Sequence, residues 1–319
     1  MEHGQKNQSD YLAKEEDVDL KELFTVLWKG KSRIIITTFI ASVLSVYFAL
    51  SLPNIYRSSS ILSPVSHQSG NLGGISGAQM GGIASLAGIS LPNDSSDKTL
   101  LGIEVLKSMQ FFSKFSSEND VLVPLMASTG WNMQDNSLII NKEIYDSTSG
   151  KWVRDFTPPR KAKPSIQEAH DVFMSLLSIS QDTKTGFIAI TIDHYSPFIA
   201  KQWLGLIIDE LNNSVRSQDI ANAELAIDYL KEEIDATKLT KIQSGLYDLI
   251  LTQAEKKVLA KATPEYVFQI IDPPFVPELK NSPKRAVICI LGAILGGILG
   301  VFSVLIQHYF IKPYQIKVS

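Results

Sequence analysis

Two uncharged apolar runs, one near each end, constrain this chain more than anything else in it. Residues 34–52 are 19 positions without Asp, Glu, Lys or Arg, 14 of them apolar and the rest Thr or Ser. Residues 286–306 are 21 positions with 16 apolar members, four glycines and one serine. At a rise of about 1.5 Å per residue, ~19 helical residues reach roughly 29 Å, against a bilayer core of about 30 Å. Both runs therefore predict membrane-spanning helices. The first starts too far into the chain, and is too long, for the apolar region of about 7–15 residues in a cleaved signal peptide.

Orientation follows from flanking charge. Lys29, Lys31 and Arg33 precede the first span and only Arg57 follows it closely, which keeps the N-terminus in the cytoplasm. Two spans then return the C-terminus there. The second span disagrees locally, with Lys280, Lys284 and Arg285 on its outer side against Lys312 and Lys317 inside, but the first helix usually dominates. The bulk of the chain, residues 53–285, is expected outside. The flanks 1–33 and 307–319 are expected to be cytoplasmic and too short for an output domain, since chains below about 40 residues seldom fold unaided. A single cysteine, Cys289, excludes an intrachain disulfide and a cysteine-based zinc site. With 30 Lys+Arg against 33 Asp+Glu the net charge is −3, so no nucleic-acid partner is expected.

Helical and strand periodicities alternate outside the spans and predict an α+β domain. Residues 58–93 contain no charged side chain and are rich in glycine over 70–90, which reads as a mobile or membrane-facing loop or as a flexible linker. Residues 97–115 predict an amphipathic helix capped by Ser95 or Ser96, with Leu100, Leu101, Val105, Met109 and Phe112 facing a core. Residues 145–164 read as a surface loop. Ser165 caps a helix through Leu177, and residues 178–193 alternate and turn like a hairpin. Ser196 and Pro197 start a helix whose stripe (Trp203, Leu204, Ile207, Ile208, Leu211, Val215, then Ile227, Leu230, Ile234) lasts to about Ala236. Some forty residues would extend about 60 Å, longer than a small domain buries. A second helix is expected over 242–262, with Leu246, Leu249, Ile250 and Val258 in its stripe, and a strand over 265–271.

A search for chemistry gives little. His3, His67, His170, His194 and His308 are scattered and never at a spacing that aims two imidazoles at one metal. Gly30-Lys31-Ser32 resembles the end of a phosphate loop, but the required earlier glycine is Thr25. No GxSxG elbow occurs, and the paired acids Asp209-Glu210 and Glu232-Glu233 fit solvated helix faces. No catalytic, cofactor-binding or metal-binding residue is assigned and no cofactor is expected, although carboxylates distant in sequence would escape this search. Two structural patterns remain. Gly292, Gly296 and Gly300 recur every four residues and flatten one face of the second span for close helix association. Pro273, Pro274, Pro277 and Pro283 make an extended segment without amide donors, expected to act as a stiff strap.

Further residues carry a resemblance. Val18-Asp19-Leu20-Lys21-Glu22-Leu23 and Leu27-Trp28-Lys29-Gly30-Lys31 stand before the first span. Ile144-Tyr145-Asp146, Gly150-Lys151-Trp152-Val153-Arg154, Thr185-Gly186-Phe187 and Ser196-Pro197 follow in order. Tyr266, Phe268, Ile271-Asp272-Pro273, Pro277 and Pro283-Lys284-Arg285 lead into the glycine-rich second span. In this order between two terminal spans, the chain resembles the Wzz-type chain-length determinants, or polysaccharide co-polymerases, of the bacterial inner membrane. The resemblance implies a multi-pass inner-membrane protein with its bulk in the periplasm, a mixed α/β membrane-proximal base and a long helical arm. It also implies ring-like homo-oligomers that act on a separate polymerase and set how far a lipid-linked glycan, O-antigen or a related surface polysaccharide, is extended. Kinase-fused relatives need a cytoplasmic nucleotide-binding domain, for which this chain offers no sequence.

The expected organisation is a cytoplasmic segment 1–33, spans 34–52 and 286–306, a base 53–195 with the Gly-rich loop 70–90, a helical extension 196–263, a return strand with proline segment 264–285, and a tail 307–319. The leading expectation is a non-enzymatic scaffold. A periplasmic ligand-binding receptor and a membrane-anchored glycan-processing enzyme are the alternatives.

Overall fold

The structure, a computed structural model, describes residues 20–65, 94–237 and 239–308. The Gly-rich loop 70–90 and the terminal segments 1–19 and 309–319 lie outside the described residues. In chain order the first elements are α1 (Leu20–Lys29), α2 (Lys31–Ser51), β1 (Tyr56–Pro64), α3 (Asp94–Lys107), α4 (Met109–Glu118) and α5 (Leu122–Met126). Next come β2 (Ser128–Asn132), β3 (Ser137–Ile140), β4 (Tyr145–Asp146), β5 (Lys151–Trp152), α6 (Ile166–Leu176), β6 (Leu177–Gln181) and β7 (Ile188–His194). The chain continues with α7 (Pro197–Ala236), α8 (Thr240–Ala262), β8 (Phe268–Asp272) and α9 (Arg285–Ile306). They fall into two units, one of Met1–Leu52 with Pro283–Ser319, the other of Pro53–Ser282.

The larger unit is built on an antiparallel sheet of order β6-β7-β1-β8. β1 runs down its middle, pairing with β7 from Tyr56↔His194 to Leu62↔Ile188 and with β8 from Ile61↔Asp272 to Pro64↔Phe268. The uncharged run that begins at residue 58 therefore opens as part of an interior strand, ahead of the Gly-rich loop. Ser58 and Ser60 are fully buried, and their hydroxyls donate to Phe275 O at 2.8 Å and Asp272 O at 2.6 Å. Pro273 and Pro274 supply no N–H to continue the ladder past Asp272. Hydroxyls of β1 thus satisfy carbonyls that the ladder leaves, which makes serine the fitting residue for this buried strand face.

Helices cover one face of that sheet. β7 alternates Ile188, Ile190, Ile192 and His194 inward, and the first half of α7 lays Trp203, Leu204, Ile207, Ile208 and Leu211 on them. Ser196 caps α7 by accepting from Ile199 N, as expected, and Ser165 caps α6 by accepting from Glu168 N. The hairpin β6–β7 forms over the expected residues. The single helix expected over 97–115 is instead two. Ser108 is extended, at φ −73° and ψ 145°, and its hydroxyl accepts from Phe111 N to start α4. That break resets the helical phase, so Leu100, Leu101 and Met109 are exposed while Leu106, Phe111, Phe112 and Phe115 enter the core. Phe173 of α6 packs between Phe112 and Phe115 at ring distances of 5.0 and 5.9 Å. Residues 145–164 are loop, interrupted by the two-residue hairpin β4–β5 with Gly150 at φ +67°. Arg154 fastens this loop, donating to Lys161 O, Ala162 O and the Glu168 carboxylate, and its hydrogen bond holds Glu168 below the usual carboxylate range.

Two buried polar residues fix α7 in place. Asn212 accepts from Val267 N at 2.8 Å and Phe268 N at 3.0 Å and donates to Phe268 O at 3.0 Å, so one amide holds the start of β8. Asn212→Leu would orphan three backbone groups. An expected loss of about 3 kcal/mol would lower the apparent unfolding temperature of the detergent-purified protein by roughly 5–10 °C. His194 lies against Trp203 at a ring distance of 4.8 Å, its Nδ1 accepting from Ser196 N and its Nε2 facing Pro124 O. Burial pushes its pKa from 6.5 down to about 4. The unfolded ring binds a proton below about 6.5 and the folded ring only near 4. Stability thus falls as pH drops through that window, by about 3 kcal/mol in all. Melting curves between pH 7.5 and 4.5 should show this decline, and His194→Asn, which keeps an acceptor for Ser196 N, should reduce it.

Candidate membrane-helix interface and helical arm

In the smaller unit, α2 and α9 are long and apolar enough to cross a membrane, with mean hydropathies of 2.1 and 2.6. They pack side by side and antiparallel, and the glycine face of α9 is what lets them approach. A Cβ at Gly292 would come within 2.3 Å of Ser45 Cβ, one at Gly296 within 2.5 Å of Ala41 Cβ and 3.0 Å of the Thr38 backbone, and one at Gly300 within 2.4 Å of Thr37 Oγ1. The stripe continues at Val304, which meets Gly30 between α1 and α2, where a Cβ would lie 2.4 Å away. Within the chain, Gly292, Gly296 and Gly300 of α9 thus face α2.

The complementary face of α2 is built from Ile34, Thr37, Thr38, Ala41 and Ser45, a second row of mostly small residues that sequence reasoning passed over. Its signal was the three- and four-residue spacing. The hydroxyls of α2 find partners close by. Thr38 donates to Ile34 O at 2.7 Å and Ser42 to Thr38 O at 2.8 Å, while Ser45 reaches across to Ile288 O at 3.1 Å.

The prolines belong to different units. Pro273, Pro274 and Pro277 follow β8 without helix or strand, and Ser58 and Ser60 hold the segment to β1. The bridge Ile55↔Ser282 ends that unit, and Pro283 opens the other, in which Arg285 donates to Leu52 O at 3.1 Å.

The long helix expected from Ser196 to Ala236 is present as α7, and α8 returns along it, with Thr237 and Leu239 extended at the two helix ends. Gln243 closes the turn by donating to Ile234 O and Thr237 O. Ala223 and Ala260 are buried between the helices, and Lys257 pairs with Glu224 at 2.8 Å. At the base of this hairpin Asp219 accepts from Tyr266 Oη at 2.6 Å and from Lys256 at 3.4 Å, with Lys98 at 3.8 Å. Ile220 and Ala260 still pack with the domain core. Leu225, Tyr229, Leu251 and Val258 are 59–70% exposed, so Val258, expected in the second helix's stripe, stays outside.

Among the described residues no group of His, Cys, Asp and Glu could hold a metal ion. A groove of about 430 Å³ between α3, α4 and α7 is lined in part by Ser108, Phe111, Lys114, Ser214 and Asp219, and the Ser108 hydroxyl donates to Val105 O, not to Lys114 or Asp219. Lys114, which a hydrogen bond to Glu210 holds above its ordinary pKa, is there an ion-pair partner.

The helix interface makes a sharp prediction. Gly297 lies one residue off the packed face, and a Cβ there would meet only Thr38 Oγ1 at 3.7 Å. Gly297→Ala should be tolerated, whereas Gly296→Ala should lower the apparent unfolding temperature. Gly296→Leu should separate spin labels at the exposed positions Tyr47 and Leu291 by ~2 Å or more, as double electron–electron resonance would measure.

Comparisons with known proteins bear on identity. The family model described as Wzz, chain length determinant protein, matches residues 16–119. Among solved structures, a full-length bacterial polysaccharide co-polymerase is similar at 16% identity and a TM-score of 0.37, covering 92% of this chain and 99% of its own. A fragment of WzzB, a polysaccharide co-polymerase from Salmonella Typhimurium, is similar at 14% identity and a TM-score of 0.32, covering 72% of this chain and 100% of its own. The comparison with curated proteins gives no match. The matched residues 16–119 take in the first apolar helix, the central strand β1 and the helices α3 and α4, and over that stretch the chain is similar to the chain length determinant family.

Proposed function

We propose that this protein sits in the bacterial inner membrane with α2 and α9 as its spans and residues 53–282 in the periplasm. There it sets the chain length of a lipid-linked surface polysaccharide, O-antigen or a relative, without catalysing its polymerisation. The observation that carries this reading is the similarity to the chain length determinant family over residues 16–119. Two features of the molecule support it. The charges Lys29, Lys31 and Arg33 stand before the apolar run of α2, as a cytoplasmic N-terminus requires. The arm of α7 and α8 leaves Leu225, Tyr229, Leu251 and Val258 uncovered, more apolar surface than a solitary two-helix hairpin keeps stable in water.

Other copies of the chain are the natural cover for such an arm. The working form is then a homo-oligomer, a scaffold that acts on a separate polymerase and its lipid-linked glycan. The proline segment serves as the stiff connection between base and span. A scaffold needs shape and multiplicity but no nucleophile, in keeping with side chains that are committed to packing, capping and ion pairs.

Deleting the gene should broaden the length distribution of surface polysaccharide on gels, and restoring it should bring back a modal length; an unchanged distribution would overturn the proposal. The double variant Leu225→Glu, Leu251→Glu should leave the unfolding temperature nearly unchanged, since both side chains are exposed. It should also reduce the assembly mass in detergent and reproduce the deletion pattern.

A further inference from the structure

We infer that the junction of α1, α2 and α9 is a binding site for the phosphate of a membrane lipid headgroup. A cavity of about 510 Å³ opens there, within the range of about 300–1,000 Å³ usual for small-ligand sites. Its polar wall is Lys29 from α1, Ser32 and Arg33 from the first turn of α2, and Gln307 and His308 after the end of α9. Its apolar wall is Val26 and Val304. No carboxylate lines it, and among the described residues no ion pair engages Lys29 or Arg33. Two cations with hydroxyl, amide and imidazole groups around one concavity suit a tetrahedral oxyanion, which accepts from every side.

The depth of the cavity decides that the anion is carried by a lipid. Arg33 is the last charge before the apolar run 34–52, and the run 286–306 ends two residues before His308. The cavity therefore lies where both apolar runs stop. On the other side of α1, Phe24 and Trp28 stack at 5.9 Å with both rings more than 60% exposed, and Lys31 stands 4.9 Å over the Trp28 ring. Exposed aromatics beside cations mark the headgroup layer. Topology alone would be satisfied by positive charges anywhere in this flank; it does not require them to line one cavity together with groups from a second span.

The inference rests on the reading that α2 and α9 cross a bilayer, and its test separates the two. Full-length protein is purified in a neutral detergent and examined by native mass spectrometry with phosphatidylglycerol, phosphatidylcholine, a polyprenyl phosphate or inorganic phosphate added. Phosphatidylglycerol should be retained about tenfold better than phosphatidylcholine. Lys29→Ala with Arg33→Ala should abolish that preference, and Lys280→Ala, a charge lost elsewhere, should keep it. Ser32→Leu, which narrows the cavity without altering charge, should weaken retention several-fold and covers the case in which the double variant does not fold. Equal retention of a polyprenyl phosphate would uphold a lipid phosphate site and name its second source. Displacement of phosphatidylglycerol by equimolar inorganic phosphate, or the same preference in all variants, would overturn the inference. A protein recovered in the soluble fraction would instead remove the membrane reading itself.

Discussion

The pairing of β1 with strands from far later in the chain is the constraint on which the rest depends. β1 has hydrogen-bonded neighbours on both sides, β7 and β8, and neither follows it directly in sequence. Closing those contacts draws residues 55–64 against 188–194 and 268–282, and the bridge Ile55↔Ser282 lets the chain enter and leave this unit at one place. Such non-local closure is entropically expensive and must be rewarded by the core it creates. The reward is the layer of α7 over β1 and β7, locked by Asn212 at one edge and by His194 beneath Trp203 at the other.

The two units solve the same problem, the close approach of distant segments, with different chemistry. In the larger unit water is available to the unfolded chain, and burial of Phe112, Phe173, Ile190 and Leu204 drives association. Between α2 and α9 the surrounding lipid would be as apolar as the helices themselves, so shape has to do what hydrophobicity cannot. Hence the glycines on one helix face Thr, Ala and Ser on the other, and Gly30 receives Val304 where α9 itself no longer supplies a glycine. An alanine at Gly296 would be innocuous on most helices; here the facing Thr38 backbone leaves no room for it.

What the sequence revealed followed the range of the interaction involved. The apolar runs, the Ser165 and Ser196 caps, the β6–β7 hairpin and the end of α7 near Ala236 are written in neighbouring residues, and all were legible. The glycine stripe was legible as a face, but a repeat of small residues does not name its partner, and the first span was found only in three dimensions. The bounds and neighbours of β1 were not legible, because the acceptors of its serines are carbonyls more than two hundred residues away. The break at Ser108 was missed because apolar residues continue through it, so periodicity alone joined two helices whose phases differ. Asn212 did leave a signal, a lone amide beside Leu211 on the buried face of α7, and a polar residue there calls for buried partners.

The long helix α7 shows most plainly how fold and proposed function divide the chain. Up to Val215 its inner face is covered by the sheet, and nothing more is needed to explain why those residues are apolar. Asp219 and Ile220 still meet Tyr266 and the core, but farther out the buried positions of α7 are Ala223 and Ile234, and large apolar side chains persist exposed at Leu225, Tyr229, Leu251 and Val258. A solitary hairpin would be more soluble with charges there, as it has at Glu232, Glu233 and Asp235. Apolar residues in such positions are stable only if something drier than water meets them, and identical arms arranged around an axis would offer each other the same surface repeatedly. On the proposed reading the base folds each copy and the uncovered half of the arm counts the copies. A length-setting property would then belong to the assembly and be invisible in any single site.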